Sequence, residues 1–356
     1  MTLIGLVILS AVLAAVLVGA LAWLWLRPRE APRVRRREPA MAGREEHVAE
    51  TVLEVPAAAA LQRRFLLHAL GVDVAAAESL RVQRAVVDDV VAALTRADMS
   101  SRYTPRRPNL LPQLIQSVND SAASSRSIAR IIGSDPVLAA TLLRIANSAL
   151  YRLQSQDVQS IERAVTLIGN DGIRQIISAA LVQPVMESAN GLDADFSRLL
   201  WEYTLRVSLA AADHARSVEH EDGFAAQLAG LLLGLSAALA MQASNDVLAR
   251  PPLRVREPGT LLEVLERCSA PTAVRIALHW KLSAAIVQAL QQVGDDAPAG
   301  LARSLQVGQL AASAAMLHAR GELDESQAIA ALCAQLPEHV ANWLWKRVSQ
   351  HDGERG

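Results

Sequence analysis

The sequence has few aromatic residues, few cysteines and no large excess of charge of either sign. Aromatic residues make up only 3% of the 356 residues, and runs of β-branched residues are rare, which favours helices over sheets. The net charge of −1 provides no global field that would attract nucleic acid. The two cysteines, Cys268 and Cys333, stand far apart in apolar, helix-like sequence. They predict reduced, buried thiols in a cytosolic compartment and not a disulfide framework.

The sequence also lacks the short motifs of several enzyme classes. It contains no G-x-x-x-x-G-K, G-x-G-x-x-G, G-x-S-x-G or C-x-x-C pattern. A P-loop, a dinucleotide-binding turn, a hydrolase nucleophile elbow and a thioredoxin-like redox site are therefore not indicated. No repeat with a period of about 20–50 residues is visible either.

One long hydrophobic run stands at residues 3–26, where no charged residue occurs. As a helix, at ~1.5 Å per residue, it would be about 36 Å long, and a bilayer core needs about 20 apolar residues. Six arginines follow within residues 27–37, and basic flanks stay on the cytoplasmic side. We therefore predict a transmembrane helix at 3–26 in the inner (cytoplasmic) membrane, with a short N-terminus outside and the rest of the chain in the cytoplasm.

A cleaved signal peptide is the alternative interpretation of this run. Residues 20–22 are Ala-Leu-Ala, which fits a cleavage site. However, no basic residue precedes the run, and apolar residues continue past that site, whereas signal peptides have a basic start and a shorter apolar core. The transmembrane anchor is the better prediction, and the membrane is a predicted partner through residues 3–26.

Composition divides the rest of the chain into four segments. Residues 27–46 are rich in arginine and hold three prolines, which predicts a basic, disordered juxtamembrane linker. Residues 47–104 have apolar residues spaced three and four apart. They form a predicted helical extension, which either packs onto the next domain or mediates dimers. A series of helices then covers the domain at 105–298, and C-terminal helices cover 299–356.

Capping residues, glycines and turn residues in the domain predict where its helices begin and end. Ser160 is expected to cap a helix that ends at Gly169, and residues 170–172 are expected to turn the chain into the next helix. Farther on, two separate helices are predicted at about 259–268 and 271–278, and no strand is predicted anywhere in the chain.

Two sequence blocks within residues 105–298 carry a family resemblance. Residues 135–151 match D-P-x-L-x-x-x-L-L-R-x-A-N-S-A-x-Y, and residues 160–169 match S-I-x-x-A-x-x-x-x-G. With their flanking helices they resemble the HDOD domain, the non-catalytic relative of the HD metal-dependent phosphohydrolases. The resemblance implies a role in bacterial signal transduction. The predicted fold is all-α: a multi-helix HDOD-like bundle preceded by a single N-terminal transmembrane helix.

The same resemblance implies where the metal ligands of the HD hydrolases would lie. Tyr203 stands where the resemblance places a histidine, and Leu233 and Gly234 stand where it places the adjacent His-Asp pair. A metal needs several convergent ligands, and leucine and glycine side chains supply none. We therefore predict a protein that is not an enzyme, with no catalytic residue, no metal site and no cofactor.

Four other groups of polar residues are predicted to have ordinary structural roles. Residues 213–214, Asp-His, are helical neighbours whose side chains point about 100° apart. Residues 219–222, Glu-His-Glu-Asp, fall between two helices and predict a solvated loop. Residues 279–280, His-Trp, fall in a connection between two helices, and we predict that the two rings form a packed or half-exposed pair. We predict that His68, on an apolar face, either has its hydrogen bonds satisfied or reaches the surface with the tip of its ring.

The first family block is also predicted to be structural. The amide of Asn147 is expected to cap or bridge the end of its helix, and Arg144 to pair with Asp135, Asp157 or a carbonyl group. Two short helices over residues 125–147 have the outline of a helix-turn-helix. Arg144 is the only basic residue of the second helix, however, and a helix that reads DNA would be basic. Nucleic acid is therefore not a predicted partner.

Together these features predict a membrane-anchored, non-enzymatic signalling or scaffold protein that acts through protein–protein interactions of its HDOD domain. Its predicted partners are proteins of a signalling pathway or further copies of itself. The alternative is a degenerate HD-type domain that binds a nucleotide or second messenger without hydrolysing it. A residual phosphohydrolase is the third hypothesis, and the sequence leaves open whether any small molecule binds in the former metal pocket.

Overall fold

Helices make up all the regular structure among the residues that the computed structural model describes, and no strand occurs in this part of the chain. Those residues are 58–72, 80–96, 103–113, 132, 136–148, 156–187, 193–251 and 254–349. They all belong to one unit, Leu53–Gly356. The all-α prediction is confirmed. The predicted transmembrane helix at 3–26 and the linker at 27–46 lie outside the described residues.

We number the helices in chain order. They are α1 (Ala58–Ala69), α2 (Arg84–Thr95), α3 (Pro136–Ala146), α4 (Ile161–Glu187), α5 (Ala194–His214), α6 (Gly223–Leu248), α7 (Pro258–His279), α8 (Ala284–Gln292), α9 (Gly300–His318), α10 (Glu325–Cys333) and α11 (Glu338–Val348). A one-turn π-helix, Ala215–Glu219, continues α5. Side chains of Asp193, Asp222, Ser283 and Asp324 cap α5, α6, α8 and α10, and so satisfy N–H groups that a helix leaves free at its start.

Helix α6 lies at the centre of the core. Nearly all of its residues are buried, among them Leu228, Leu231 and Leu232. Within the described residues it is the one helix that is long and apolar enough to cross a bilayer, but it lies inside the protein. Its apolar composition therefore reflects burial on all sides of the helix.

Helix α5 packs closely against both α6 and α9, because glycines face it from each side. A Cβ atom on Gly230 of α6 would lie 2.9 Å from the Cα atom of Ser208, and one on Gly308 of α9 would lie 2.7 Å from the carbonyl oxygen of Val207. A larger residue at either position would push the helices apart. These contacts hold α5, which carries several of the candidate site residues, in a fixed place.

Helix α1 of the extension packs onto the domain that follows it. The residues predicted to form its apolar face, including Leu61, Phe65 and Leu66, are buried, and α1 contacts α5, α7 and α9. Of the two alternatives for this segment, the structure therefore shows packing within the chain, and the apolar face is not left for a second copy.

Helix α4 is broken at Gly169, as predicted. Gly169 has a φ of 76°, and Ser160 Oγ accepts a hydrogen bond from the N–H of Arg163 at 3.2 Å. The predicted turn at 170–172 is wrong, because the non-helical backbone is confined to Gly169. A positive φ is open to glycine at little cost, so a single residue is enough to redirect the helix.

Helix α7 is continuous, although two helices were predicted over 259–268 and 271–278. It runs through Pro271, and Leu265, Cys268 and Ile276 are buried on both sides of the proline. A proline inside a helix costs about 3 kcal/mol or more. Burial of one continuous apolar face on both sides of Pro271 offsets that cost, and this packing is invisible in the local sequence.

Candidate functional site

The three positions where the resemblance implied metal ligands lie together in the structure. Tyr203 on α5 and Leu233 and Gly234 on α6 all line one cavity of about 340 Å³, which is partly open to solvent. None of the three is a histidine or a carboxylate. The three positions that the resemblance marks are therefore neighbours in the fold, although they lie on two helices.

Gly234 faces α5 so closely that no side chain fits at this position. A Cβ atom there would overlap Oγ1 and Cγ2 of Thr204 and would lie 2.7 Å from its Cβ atom. Thr204 is buried, and its Oγ1 donates a hydrogen bond to the carbonyl oxygen of Leu200 at 2.6 Å. The aspartate of a His-Asp pair would therefore require α5 and α6 to move apart.

Tyr203 places an aromatic ring where the resemblance implied a histidine. Its ring stacks on Phe65 of α1, with 4.4 Å between ring centroids. Burial raises the pKa of Tyr203 well above its usual value, although Ser313 and Gln62 nearby act in the opposite direction. The phenol therefore stays protonated at neutral pH. Its oxygen is buried and makes no hydrogen bond of good geometry.

Helix α1 forms one wall of this cavity. Ala59, Gln62, Arg63 and Leu66 line it from this side. One guanidinium nitrogen of Arg63 donates to both carboxylate oxygens of Glu266 on α7, at 2.7 and 2.8 Å. Sequence reasoning missed this wall, because Arg63 and Glu266 are 203 residues apart and no local pattern links them.

The residues around the cavity do not fit a divalent cation. Glu266 is the only His, Cys, Asp or Glu among the residues that line it, and Arg63 already binds its carboxylate. Across the part of the chain that the structure describes, no group of three such residues could hold a metal ion. A divalent cation needs several convergent ligands, and this cavity supplies one that is already paired.

Asp213 and His214 are both buried, and their side chains contact different partners, as predicted for neighbours on a helix. Asp213 accepts hydrogen bonds from Arg216 at 2.6 Å and from Arg347 at 3.0 Å. His214 Nδ1 lies 3.1 Å from Ser304 Oγ, and its buried Nε2 has no partner. Burial lowers the pKa of His214, opposed by the charge of Glu219 and reinforced by that of Arg303.

Residues 219–222 form a solvated loop only in part. Residues 220–222 are exposed, and Asp222 caps α6. Glu219, however, ends the π-helix with a side chain that is 17% exposed. Its carboxylate accepts a hydrogen bond from the N–H of Gly300 at 3.1 Å and lies 3.5 Å from Arg303. For Glu219 the prediction is wrong, since the carboxylate binds the start of α9.

The remaining sequence candidates have structural roles. Trp280 is fully buried and donates a hydrogen bond to the carbonyl oxygen of Pro105 at 2.9 Å, whereas its neighbour His279 is exposed. His68 Nδ1 lies 3.0 Å from a carboxylate oxygen of Glu322. The Asn147 amide bridges to Val158, donating to its carbonyl oxygen at 2.9 Å and accepting from its N–H at 2.7 Å. These arrangements confirm the predictions for Asn147, His68 and Trp280.

The two cysteines form no disulfide. Cys268 is buried and Cys333 half-buried, and both are free thiols. Burial raises the pKa of Cys268 to about 11, so this thiol is protonated and unreactive at neutral pH. Residues 125–131, with which the helix-turn-helix outline begins, and Tyr151 lie outside the described residues.

A second recess, of about 520 Å³, has a different chemical character. His68, Arg198, Arg256 and Arg320 line it together with the carboxylates of Asp193 and Asp195. The Asp193 carboxylate caps α5. This recess is a mixed-charge surface next to a helix start, and it contains none of the three former ligand positions.

Three solved structures are similar to this chain. A protein from Shewanella amazonensis SB2B, named for the metal-dependent phosphohydrolases, is 19% identical with a TM-score of 0.51, covering 75% of this chain and 97% of its own. A second from the same organism, named for the phosphohydrolases, is 22% identical with a TM-score of 0.49, covering 75% and 95%. An HDOD domain protein of unknown function from Geobacter sulfurreducens is 17% identical with a TM-score of 0.48, covering 74% and 87%.

At these identities the first of the three structures shows a shared fold and nothing about activity. No curated protein matches the chain significantly. The family model of the HDOD domain, in contrast, matches residues 104–295, which is more than half of the sequence and includes both family blocks and all three former ligand positions. The chain belongs to the HDOD domain family.

Proposed function

We propose that this protein is a membrane-anchored signalling regulator without catalysis of its own, which binds a protein partner through its HDOD domain. The observation that carries the proposal is the contact of Gly234 with Thr204, which leaves no room for the carboxylate of a metal site. Function has to be argued from the site and not from the fold. A site that keeps the cavity but not the ligands supports binding and not metal-dependent hydrolysis.

Metal analysis and hydrolysis assays test the absence of catalysis. The full-length protein, purified in detergent without chelators, is expected to carry far less than one divalent cation per chain. It is also expected to show no phosphodiesterase activity when Mn²⁺ or Mg²⁺ is added. One tightly bound cation per chain, or metal-dependent hydrolysis that a substitution of Tyr203 abolishes, would contradict the proposal.

The uncharged run at residues 3–26 and the arginines that follow it support the membrane anchor. Cell fractionation with an alkaline carbonate wash is the test. The full-length chain is expected to stay in the membrane pellet, and a variant without residues 1–26 is expected to move to the supernatant. Release of the full-length chain by the wash would contradict anchoring.

Cross-linking in intact cells tests for the protein partner. Large apolar side chains that are exposed among the described residues supply the attachment points, and these are Val82, Val255, Leu278 and Trp343. A photoreactive residue at each position, in the anchored protein, is expected to capture the same partner from neighbouring positions. Capture of no protein from any position would count against the proposal, and capture of only a second copy would reduce it to self-association.

The nucleotide alternative has less support from the geometry. A nucleotide or second messenger carries phosphate, which is bound best by free arginine or lysine. Arg63 is the only basic residue among those that line the cavity, and Glu266 occupies it with both carboxylate oxygens. Only one guanidinium nitrogen of Arg63 holds Glu266, but the Glu266 carboxylate beside it would repel a phosphate group.

A further inference from the structure

We propose that the cavity between α1, α5, α6 and α7 binds a small, uncharged, largely apolar molecule that carries a hydrogen-bond acceptor such as a carbonyl group. The inference rests on the proposed function in one respect, namely that no metal occupies this place. It does not depend on which protein partner is bound. It names the chemical class of a ligand for a site that has lost its metal.

The size and walls of the cavity suit such a molecule. Its volume of about 340 Å³ lies at the lower end of the range of about 300–1,000 Å³ that is usual for small-molecule pockets. Leu66, Leu200, Leu233 and Leu265 line it from four different helices. Apolar surface from all sides favours an apolar body and gives little support to a highly polar ligand.

The hydroxyl group of Tyr203 indicates why the ligand should carry a hydrogen-bond acceptor. Tyr203 lines the cavity and is more than nine-tenths buried. Ser313 and Gln62 interact with its hydroxyl, but neither makes a hydrogen bond of good geometry with it. A buried donor whose hydrogen bonds are poorly formed is costly, and a ligand carbonyl would accept its hydrogen. Gln309 lines the same cavity, so its amide is placed to orient a second polar atom of the ligand.

The charge around the cavity favours a neutral ligand. Arg63 and Glu266 are the only charged side chains that line it, and they neutralise each other at 2.7 Å. An anion that enters would lose water next to the Glu266 carboxylate, and a cation would meet a carboxylate that Arg63 already holds. Burying a charge without a partner is far more costly than burying a neutral acceptor.

The wall from α1 lies outside the segment that the family model matches. Residues 58–69 lie before the segment 104–295 that the family model matches, and they contribute Gln62, Arg63 and Leu66. Ligand selection is therefore shared between the family domain and the extension. Occupancy of the cavity is expected to depend on α1 being docked.

Equilibrium dialysis with a matched pair of probes tests the proposal. Coumarin is neutral, mostly apolar and carries a carbonyl group, whereas coumarin-3-carboxylate adds one negative charge to the same frame. AMP serves as the phosphate-bearing probe. The full-length protein is held in detergent micelles, and empty micelles give the blank for partition of coumarin into detergent.

The cavity is then filled by substitution. Ala270→Leu places a larger side chain on the wall, and Ala285→Leu makes the same change at an exposed position of α8. If Ala270→Leu does not fold, Gly294→Leu replaces it, because a Cβ atom on Gly294 meets nothing within 4 Å and Gly294 also lines the cavity. Tyr203→Phe removes the donor while keeping the ring.

Saturable binding of one coumarin per chain, at least tenfold tighter than that of coumarin-3-carboxylate or AMP, is the expected result. The filling variant should abolish it, Ala285→Leu should not change it, and Tyr203→Phe should weaken it about three- to tenfold, as expected for one lost hydrogen bond. Absence of saturable binding, equal or tighter binding of either anion, or coumarin binding that survives filling would each overturn the proposal. Metal binding or hydrolysis would instead overturn the proposed function, so the two failures are distinguishable.

Discussion

The middle of helix α5 and its C-terminal end use their buried positions differently. Around Tyr203 and Thr204, at the middle, the helix meets an apolar cavity, a glycine contact and a hydroxyl with no hydrogen bond of good geometry. Around Asp213 and His214 it meets an arginine pair and a serine at hydrogen-bond distance. The C-terminal end, with Asp213 and His214, is a structural joint between helices, and the middle lines the cavity at the positions where the resemblance implied metal ligands.

The joint at Asp213 connects segments that are distant in sequence. Arg347 belongs to α11, Arg216 to the π-helix, and Ser304 and the Gly300 N–H, which Glu219 binds, belong to α9. Polar groups that bind one another across helices help to hold one arrangement of those helices. The carboxylates of Asp213 and Glu219 therefore have structural partners in this cluster. The residues at Tyr203, Leu233 and Gly234 are neither histidines nor carboxylates.

The largest expected effect tests the claim that the former metal site is closed to an aspartate. Gly234→Asp should unfold the domain or lower its free energy of unfolding by more than about 4 kcal/mol, because the new side chain overlaps Thr204 and buries a charge. Urea denaturation measures this. Gly294→Asp, on the same cavity but with open space at its Cβ position, is the matched control and should cost less than about 1 kcal/mol. Normal stability of Gly234→Asp would show that α5 and α6 are not closely packed.

Substitution in the joint at the C-terminal end of α5 is expected to lower stability by a smaller amount. Asp213→Ala removes the carboxylate that binds Arg216 and Arg347. It should lower the free energy of unfolding by about 1–3 kcal/mol, a range reduced because both arginines are partly exposed to solvent. Asp296→Ala changes an exposed carboxylate and should have almost no effect. Equal effects of the two substitutions would show that the joint is not structural.

The pH dependence of stability sharpens the same comparison. Because burial lowers the pKa of His214 in the folded state, the unfolded chain binds the proton more readily than the folded chain below about pH 6.5. Stability should therefore fall as pH decreases from about 6.5 to 5, by at most about 1.4 kcal/mol per pH unit from this group. His214→Asn, whose amide is able to reach Ser304, should flatten the profile in chemical denaturation. His279→Asn, at the surface, is the control and should leave the pH profile of stability unchanged. If the profile of His214→Asn is as steep as that of the parent protein, the pH dependence comes from other groups.

The smallest expected effect lies in the cavity. Tyr203→Phe removes a buried hydroxyl that has no well-formed hydrogen bond, so the free energy of unfolding should stay the same or rise by up to about 1 kcal/mol. Thermal denaturation at neutral pH measures the change. Tyr103→Phe is the contrasting substitution, because the hydroxyl of Tyr103 binds the Asp246 carboxylate, and it should destabilise the protein. A loss of stability in Tyr203→Phe as large as that in Tyr103→Phe would mean that its hydroxyl is satisfied and not available to a ligand.

Much of the fold follows from local pattern, and the misses have a common cause. The apolar faces of α1 and α2, the cap at Ser160 and the break at Gly169 are encoded by spacing and residue type within a few positions. The continuity of α7 through Pro271 and the docking of Glu219 on Gly300 depend on residues from other helices. Local propensity is a weak prior that tertiary contacts override.

The candidate site divides in the same way. Tyr203, Leu233 and Gly234 were found because the family pattern marks their positions. Arg63, Gln62 and Glu266 were not found, because the extension carries no such pattern and its contact with α7 spans 203 residues.

The amino-acid sequence by itself determined the all-α class, the family, the residues that stand at 203, 233 and 234 and the uncharged run at 3–26, since each of these depends on residue identity or short-range spacing. Only the tertiary structure decided that Thr204 leaves no space for a side chain at Gly234 and that α1 forms one wall of the cavity. It also decided that the two charged residues at the cavity, Arg63 and Glu266, form an ion pair. Those features depend on distances between side chains from separate helices, and such distances exist only when packing has brought the helices together.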